Sequence, residues 1–218
     1  MPSLLHLDSS ADLRGGRSRT ITRAFAQAWS AAGPDHTVVH RDLHADPLPH
    51  LADASLHWPA RLRSPEANPP ADAERLQQTL LDELLAADVL LIGAPMYNYS
   101  VPSTLKAWID HVHVPGVTAP FDGPTQPLAG RPAIIATSQG AAYDPGSPTD
   151  GWDHATPMLQ LILGTAFGMD VTVLTASLAL AETVPALAEQ LDRSRAELAS
   201  AQQRAAELAA SLTTVCRS

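Results

Sequence analysis

One stretch of the chain decides the fold: residues 88–112, which read DVLLIGAPMYNYSVPSTLKAWIDHV. It begins with an apolar run that is stopped by Gly93-Ala94-Pro95, which predicts a buried strand. A short loop of aromatic and amide residues follows, and Pro102-Ser103-Thr104 then opens an amphipathic helix. In an open parallel sheet, a loop in this position lies at the carboxyl end of a strand, where ligands bind. Its side chains suit a flat ring with polar edges.

Length and composition are those of an ordinary acidic globular protein. The 218 residues fit one domain, 1–218, with its own core. The formal net charge is −9 and the basic residues are scattered, so we expect no nucleic-acid partner. We also expect a cytoplasmic protein without a membrane partner, because no signal-peptide pattern or membrane-length apolar run occurs. The single cysteine, Cys216, excludes an intrachain disulfide.

The remaining sequence alternates short apolar runs with amphipathic stretches. Strands are predicted at residues 3–8, 37–43, 88–94, 133–137 and 171–174, and helices at about residues 18–32, 71–87, 103–113, 155–167 and 184–212. This alternation predicts a doubly wound α/β fold, in which helices cover both faces of a parallel sheet. Residues 46–70 and 115–130 are rich in proline or glycine and are predicted to be irregular.

The loop after the first predicted strand has the composition of a phosphate site. Residues 9–20 supply hydroxyls, glycines and arginines where the first helix begins. The first turn of a helix has unpaired N–H groups and a positive dipole end, which favour a bound phosphate. Ser18 and Thr20 can add hydroxyl donors. A serine here could also be a simple helix cap, but two further ligand-like loops at the same edge favour the phosphate site.

Two more loops are predicted at this edge. In residues 96–99, the Asn98 amide lies between two tyrosines and can face the edge of a heterocycle. The alternative is an ordinary connection whose aromatic residues enter the core. Residues 138–143 offer small residues that allow close backbone approach, together with an amide and a phenol. A phosphate and a flat heteroaromatic ring together indicate flavin mononucleotide, FMN.

Other chemistries are less well supported. The chain has no P-loop, no G-x-G-x-x-G after the first strand and no G-x-S-x-G motif. His36, His40 and His44 would align on a helix, but they fall on a predicted strand and turn, so we interpret them as surface histidines and predict no zinc site.

At these three loops the chain resembles the FMN-dependent NAD(P)H:quinone oxidoreductase and azoreductase family. Residues 95–110, PMYNYSVPSTLKAWID, are similar almost throughout to the family pattern PMYNF-x-[VI]-P-S-x-L-K-x-[WY]-[IF]-D. Shorter similarities occur at Leu7-Asp8-Ser9-Ser10 and at Gly116-Val117-Thr118, so the resemblance covers most of the chain. It implies a flavodoxin-like three-layer αβα sandwich with a five-stranded parallel sheet in the order 2-1-3-4-5.

The resemblance also implies positions for an FMN site. The loop after the first strand would hold the phosphate and ribityl end, and the other two loops would hold the ring. The implied cofactor-binding residues are Ser10, Ser18, Arg19, Thr20, Pro95, Met96, Tyr97, Asn98, Tyr99, Ser138, Gln139, Gly140, Ala141 and Tyr143. Gln139 and Ala141 depart from the family, which commonly has an arginine and a glycine there. Candidates for stacking on the substrate are Trp58, Tyr99, Phe121, Trp152 and Phe167.

The activity implied is a two-electron, ping-pong transfer from NADH or NADPH, through FMN, to a quinone or azo compound. The flavin N5 carries the chemistry, so no catalytic side chain is assigned. Family resemblance further implies a homodimer. Two alternatives remain: a dedicated biosynthetic reductase acting on one quinone-like or N–N-bonded intermediate, and a flavodoxin-type electron carrier.

Overall fold

A computed structural model describes residues 1–215 of the chain. Its five strands are β1 (Ser3–Asp8), β2 (Thr37–Asp42), β3 (Val89–Pro95), β4 (Pro132–Ser138) and β5 (Asp170–Ala176). They form one parallel sheet in the order β2-β1-β3-β4-β5. The predicted flavodoxin-like fold and strand order are therefore confirmed. Cys216 lies outside the described residues.

The helices are α1 (Arg17–Ala31), α2 (Ala71–Ala86), α3 (Ser103–Val112), α4 (Thr156–Gln160) and α5 (Leu191–Val215). Alternate residues of β3 enter two separate hydrophobic clusters, because successive strand residues face opposite sides of the sheet. Leu90 belongs to the cluster that includes α2 and α3, and Leu91 to the cluster that includes α1 and α5. The central strands β3 and β4 are thus covered on both faces, as their nearly uninterrupted apolar sequences require, whereas the edge strand β2 is largely exposed.

The last helix, α5, packs against the rest of the domain, which is the arrangement that the sequence favoured. Ala201, Ala205 and Ala209 are buried at spacings of four residues and lie in the same cluster as Phe25 and Trp29 of α1. Small side chains on one stripe let two helices approach closely. The alternative of a separate coiled-coil arm is therefore excluded.

Two predicted helices differ in detail. The predicted helix at 155–167 consists of α4 followed by a wider π-helical segment, Leu161–Ala166, which contains the poor helix formers Gly164 and Thr165. The predicted helix from 184 begins instead as a tighter 3₁₀ segment, Pro185–Gln190, before α5 starts at Leu191. In residues 46–70 only two 3₁₀ turns interrupt an irregular path, as expected.

Candidate functional site

The loops that follow β1, β3 and β4 meet at the carboxyl edge of the sheet, as predicted. The Tyr97 hydroxyl lies 3.4 Å from the Ser10 hydroxyl and accepts the backbone N–H of Ala11 at 2.9 Å, which joins the first loop to the second. The backbone N–H of Met96 donates to the Ser138 carbonyl at 2.8 Å, which joins the second loop to the third. Pro95 and Ser138 are the buried, paired last residues of their strands.

The loop after β3 forms a tight turn with an unusual backbone. Tyr97 and Ser100 exchange two backbone hydrogen bonds, at 2.8 and 3.0 Å, around Asn98 and Tyr99. These two central residues have φ angles of 48° and 68°, which defines a type I′-like turn. Asparagine tolerates this region of φ, whereas for tyrosine it costs on the order of 1–2 kcal/mol. Such conformations concentrate at ligand-binding positions.

The turn is held at its ends and leaves its amide free. The Tyr99 carbonyl accepts the backbone N–H of His154 at 2.9 Å, and the Tyr99 ring packs edge-on against Trp152 with centroids 5.6 Å apart. The exposed side chain of Asn98 has no hydrogen-bond partner among residues 1–215. This turn therefore presents donors and an acceptor at the sheet edge without using them internally.

The first turn of α1 has the properties expected of an anion site. The Ser18 side chain is fully buried, and its hydroxyl has no hydrogen-bond partner within the described part of the chain. Gly16 precedes the helix, and a Cβ there would lie 2.7 Å from the Asp12 carbonyl and 2.8 Å from the Ser10 hydroxyl, so only glycine fits. A buried hydroxyl beside free N–H groups at a positive helix end matches a phosphate. These residues fit the phosphate end of FMN.

Two neighbouring side chains are already occupied. The Thr20 hydroxyl donates to the Arg17 carbonyl at 2.8 Å. Arg19 makes a two-pronged ion pair with Asp42, at 2.7 and 2.8 Å, and also donates to the Ser10 carbonyl at 2.7 Å. The hydrogen bonds from Arg19 hold the pKa of the Asp42 carboxyl below its usual value. The Arg19 guanidinium therefore stabilises the first loop. Of the Arg19 donors, mainly the backbone N–H remains available to a phosphate.

The loop after β4 is tied to the interior. The buried Gln139 amide donates to Asp153 at 2.8 Å and accepts from the Ser177 hydroxyl at 3.3 Å. Gly140 lies against Leu180, whose Cδ1 would be 3.1 Å from an added Cβ, and Ala141 is half-buried. Gln139, which stands where the family commonly has an arginine, thus acts as an internal brace. Its side-chain amide is not available to a ring.

The sequence did not identify Asp153 as part of this brace. Besides accepting from Gln139, its carboxylate accepts the backbone N–H groups of Ala155 and Thr156, both at 2.9 Å. An aspartate just before a predicted helix is a recognisable capping signal. No sequence pattern indicated that Asp153 would contact Gln139, 14 positions earlier.

The aromatic candidates for substrate contact fall into two groups. Trp58 and Phe121 form one edge-to-face pair, with ring centroids 4.8 Å apart, and Phe121 is 58% exposed. Trp152, 48% exposed, pairs with Tyr99 beside the turn. Phe167 is different, since it is fully buried in the core and stacks on His113 at 5.7 Å. Its burial corrects the expectation that Phe167 contacts the substrate.

Tyr143 lies in a partly buried position near the turn. Burial raises the pKa of its phenol, and the neighbouring Tyr99 and Asp153 raise it further. A phenol with the ordinary pKa of about 10 is already neutral at physiological pH, and the raised pKa extends the pH range over which it can donate a hydrogen bond. Tyr143 can therefore serve as a neutral donor beside the exposed aromatic pair.

Comparison with known proteins identifies the class. The profile of the family described as "Flavodoxin-like fold" matches residues 2–207. The chain belongs to this family, and the resemblance inferred from residues 95–110 is confirmed.

Individual relatives agree with this assignment. The chain is 58% identical over 212 residues to an FMN-dependent NADH:quinone oxidoreductase of Kineococcus radiotolerans, a match that covers 97% of this chain and 100% of that protein. An FMN-dependent NADH:quinone oxidoreductase of Frankia casuarinae is 42% identical over 92% of this chain and 97% of its own length. The crystal structure of an azoreductase from Bacillus anthracis shares the fold, with a TM-score of 0.80 at 19% identity, over 97% of this chain and 100% of that one.

Proposed function

We propose that this protein is an FMN-dependent oxidoreductase that uses NADH or NADPH to reduce quinones, azo compounds or both. The observation that supports this most directly is the turn at residues 97–100, which displays a free amide between two exposed tyrosines at the carboxyl edge of the sheet. The relatives named FMN-dependent NADH:quinone oxidoreductase support the same activity.

Each loop has a separate part in this proposal. The first turn of α1, with the Ser18 hydroxyl, binds the phosphate, because both supply donors without partners. The Asn98 amide orients the edge of the ring, and residues 138–141 limit its position through a loop that is fixed by Gln139. When bound, FMN supplies the two-electron chemistry, in exchange first with a nicotinamide and then with an acceptor, which is the predicted ping-pong sequence.

The remaining side chains shape the entrance. The pairs Tyr99–Trp152 and Trp58–Phe121 offer flat apolar surfaces to a planar acceptor and exclude water from it. Tyr143, kept neutral, donates a hydrogen bond to a carbonyl or azo acceptor. These roles need no titrating acid–base pair on the protein.

We further propose that the protein works as a homodimer in the cytoplasm. The family resemblance implies this assembly, and the described chain has large exposed apolar side chains, among them Phe121, Leu161 and Leu180, that a second copy could cover. No helix among the described residues is long and apolar enough to cross a membrane. Sedimentation at micromolar concentration tests the assembly, and a monomer would contradict it.

The absorption spectrum of the purified protein tests the activity. We expect flavin bands that are bleached by NADH or NADPH without air and restored by a quinone or an azo dye. A flavodoxin-type carrier would instead accumulate a semiquinone on photoreduction and would not oxidise NADH. Turnover with a panel of quinones and azo dyes separates a broad reductase from one dedicated to a single intermediate. A colourless protein that binds no added FMN would refute the proposal.

A further inference from the structure

A row of polar side chains lies on the α1 side of the sheet, beside the first of the loops described above. In the parallel register of β1 and β2, His6 is paired with His40 and Asp8 with Asp42. His6 and Asp8 are buried, at 7% and 5% exposed, although strand positions facing a helix layer are normally apolar. The side chain of His40 is 46% exposed. Buried polar groups in such a position require a physical explanation.

Three of these side chains converge on one point. Nε2 of His6 and Nε2 of His40 lie 3.3 Å and 3.2 Å from the same oxygen, Oδ2 of Asp8. The three atoms lie within 4.8 Å of one another, and the two imidazole centroids are 4.4 Å apart. The buried Nε2 of His6 makes no hydrogen bond within residues 1–215. Nε2 of His40 is within hydrogen-bonding distance of the same Asp8 oxygen, so metal binding would replace that contact. One carboxylate oxygen and two ring nitrogens thus lie close enough together to bind a single ion.

We propose that His6, Asp8 and His40 bind a divalent transition-metal ion, with Zn²⁺ as the representative ion. Zinc bonds of about 2.0–2.1 Å to nitrogen and oxygen, arranged tetrahedrally, place neighbouring ligand atoms about 3.3 Å apart. The two measured separations agree with this value. Two imidazoles and one carboxylate are also a usual set of three protein ligands for zinc sites that keep one position open.

The surroundings support the ligand set. Oδ1 of Asp8, the oxygen that does not face the histidines, accepts the Thr22 hydroxyl at 2.9 Å, which orients the carboxylate. The closest cation is Arg19, whose Nη1 is 3.6 Å from Oδ2, and its charge is already paired with Asp42.

The open position faces a cavity. Because β2 is the edge strand, its α1-facing side is only partly covered, and a cavity of about 740 Å³ lies between α1 and β2. His6, Asp8 and His40 line it together with Leu13 of the first loop and with Arg19 and Arg23 of α1. Water or a small anion can therefore reach a fourth coordination position.

This site differs from the one considered in the sequence. His36 is buried against Trp29, with ring centroids 5.3 Å apart, so its interpretation as a surface histidine is wrong. His44 is exposed beyond the end of β2. Of the three histidines compared there, only His40 belongs to the cluster, and its partners come from β1. The proposal does not depend on the flavin chemistry, since its ligands lie outside the three loops.

Metal titration of the FMN-loaded protein, after treatment with a chelator and removal of the chelator, tests the proposal. Calorimetry with Zn²⁺ is expected to show one equivalent bound, and Co²⁺ is expected to give the visible absorption bands of a four-coordinate ion. His40→Ala should weaken Zn²⁺ binding by at least about tenfold and abolish these bands. His44→Ala, which removes an exposed histidine near the end of the same strand, is the matched control and should bind as the unmodified protein does.

A second variant guards against indirect effects. The His6→Ala variant should also lose the Co²⁺ bands, and circular dichroism and flavin content test whether this variant is folded. If His6→Ala does not fold, the result for His40→Ala decides, because the half-exposed His40 ring can be removed with little effect on packing. Absence of stoichiometric Zn²⁺ binding, or equal binding by the unmodified protein, His40→Ala and His44→Ala, would overturn the proposal. Neither readout uses NADH oxidation, so a failure of the proposed activity would be seen separately.

Discussion

The connections that follow β3 and β4 both reach the candidate site, but they use their polar groups in opposite ways. The turn at residues 97–100 keeps the Asn98 amide free and is closed by backbone hydrogen bonds between Tyr97 and Ser100. In the connection between β4 and β5, residues 139–169, the Gln139 amide is hydrogen-bonded to Asp153 and Ser177. The first connection matches the family motif closely, and the second is where this chain departs from it.

This difference separates ligand recognition from loop support. A side chain with no internal hydrogen bond loses little free energy when a ligand replaces its bound water. A buried amide with two partners contributes to stability, and breaking its hydrogen bonds to bind a ligand would cost free energy. We therefore expect substitutions in the first connection to change flavin binding and substitutions in the second to change folding.

The largest effect is expected at Phe167, in the second connection. Phe167→Ala should lower the free energy of unfolding by about 3–5 kcal/mol, because it leaves a cavity in a fully buried position. Trp152→Ala, at an exposed position of the same connection, is the control and should change stability by less than about 1 kcal/mol. Urea denaturation measures both. A stable Phe167→Ala protein with a raised KM for the acceptor would restore Phe167 as a substrate contact.

The second largest effect is expected at Gln139, also in the second connection. Gln139→Leu keeps most of the side-chain volume but leaves Asp153 and Ser177 without this partner, and the expected loss of stability is about 1–3 kcal/mol. Thermal unfolding measures the loss. The flavin dissociation constant, measured at a temperature where the variant is folded, should change much less. A stable variant with strongly weakened flavin binding would show that Gln139 contacts the cofactor directly.

These contrasts mark what sequence patterns can predict. The alternation of strands and helices and the meeting of three loops followed from hydrophobic runs and their stop signals, which are local. The order of the strands was implied only by the resemblance of residues 95–110 to the family motif. The brace of Gln139 depends on Ser177, 38 residues away, and the ion pair of Arg19 in α1 depends on Asp42 in β2. Such contacts depend on distances and strand register that local patterns do not encode.

The histidine cluster shows the same limit. Period-two alternation places His6 and Asp8 on one face of β1, which could be anticipated from the sequence. That His40 of β2 lies opposite His6 depends on the strand register, since a shift of one residue would turn His40 to the other face. Spacing among histidines along the chain therefore brought His40 into comparison with His36 and His44 and not with His6.

Substitutions of Asn98 test whether the first connection binds the flavin. Asn98→Gly retains the left-handed backbone but removes the amide, and we expect the FMN dissociation constant to rise about tenfold with little change in unfolding temperature. Asn98→Ala removes the amide and also disfavours the turn, so it should weaken flavin retention at least as much. Equilibrium dialysis of FMN measures both. Unchanged flavin content and NADH oxidation in both variants would remove Asn98 from the site.

The smallest effect concerns Tyr143, where the two connections meet. Burial, followed by Tyr99 and Asp153, raises the pKa of its phenol, so the folded protein binds the phenolic proton more tightly than the unfolded chain does. The resulting stability is fully present below the ordinary phenol pKa of about 10 and is lost as pH rises through the higher pKa of the folded state. The chain has three tyrosines, so ultraviolet titration of the protein and of Tyr143→Phe isolates this group. If the ionisation lost in Tyr143→Phe lies at or below the ordinary phenol range, the Tyr143 phenol is as open to solvent as a free tyrosine, and the distinction between the two connections would fail at this residue.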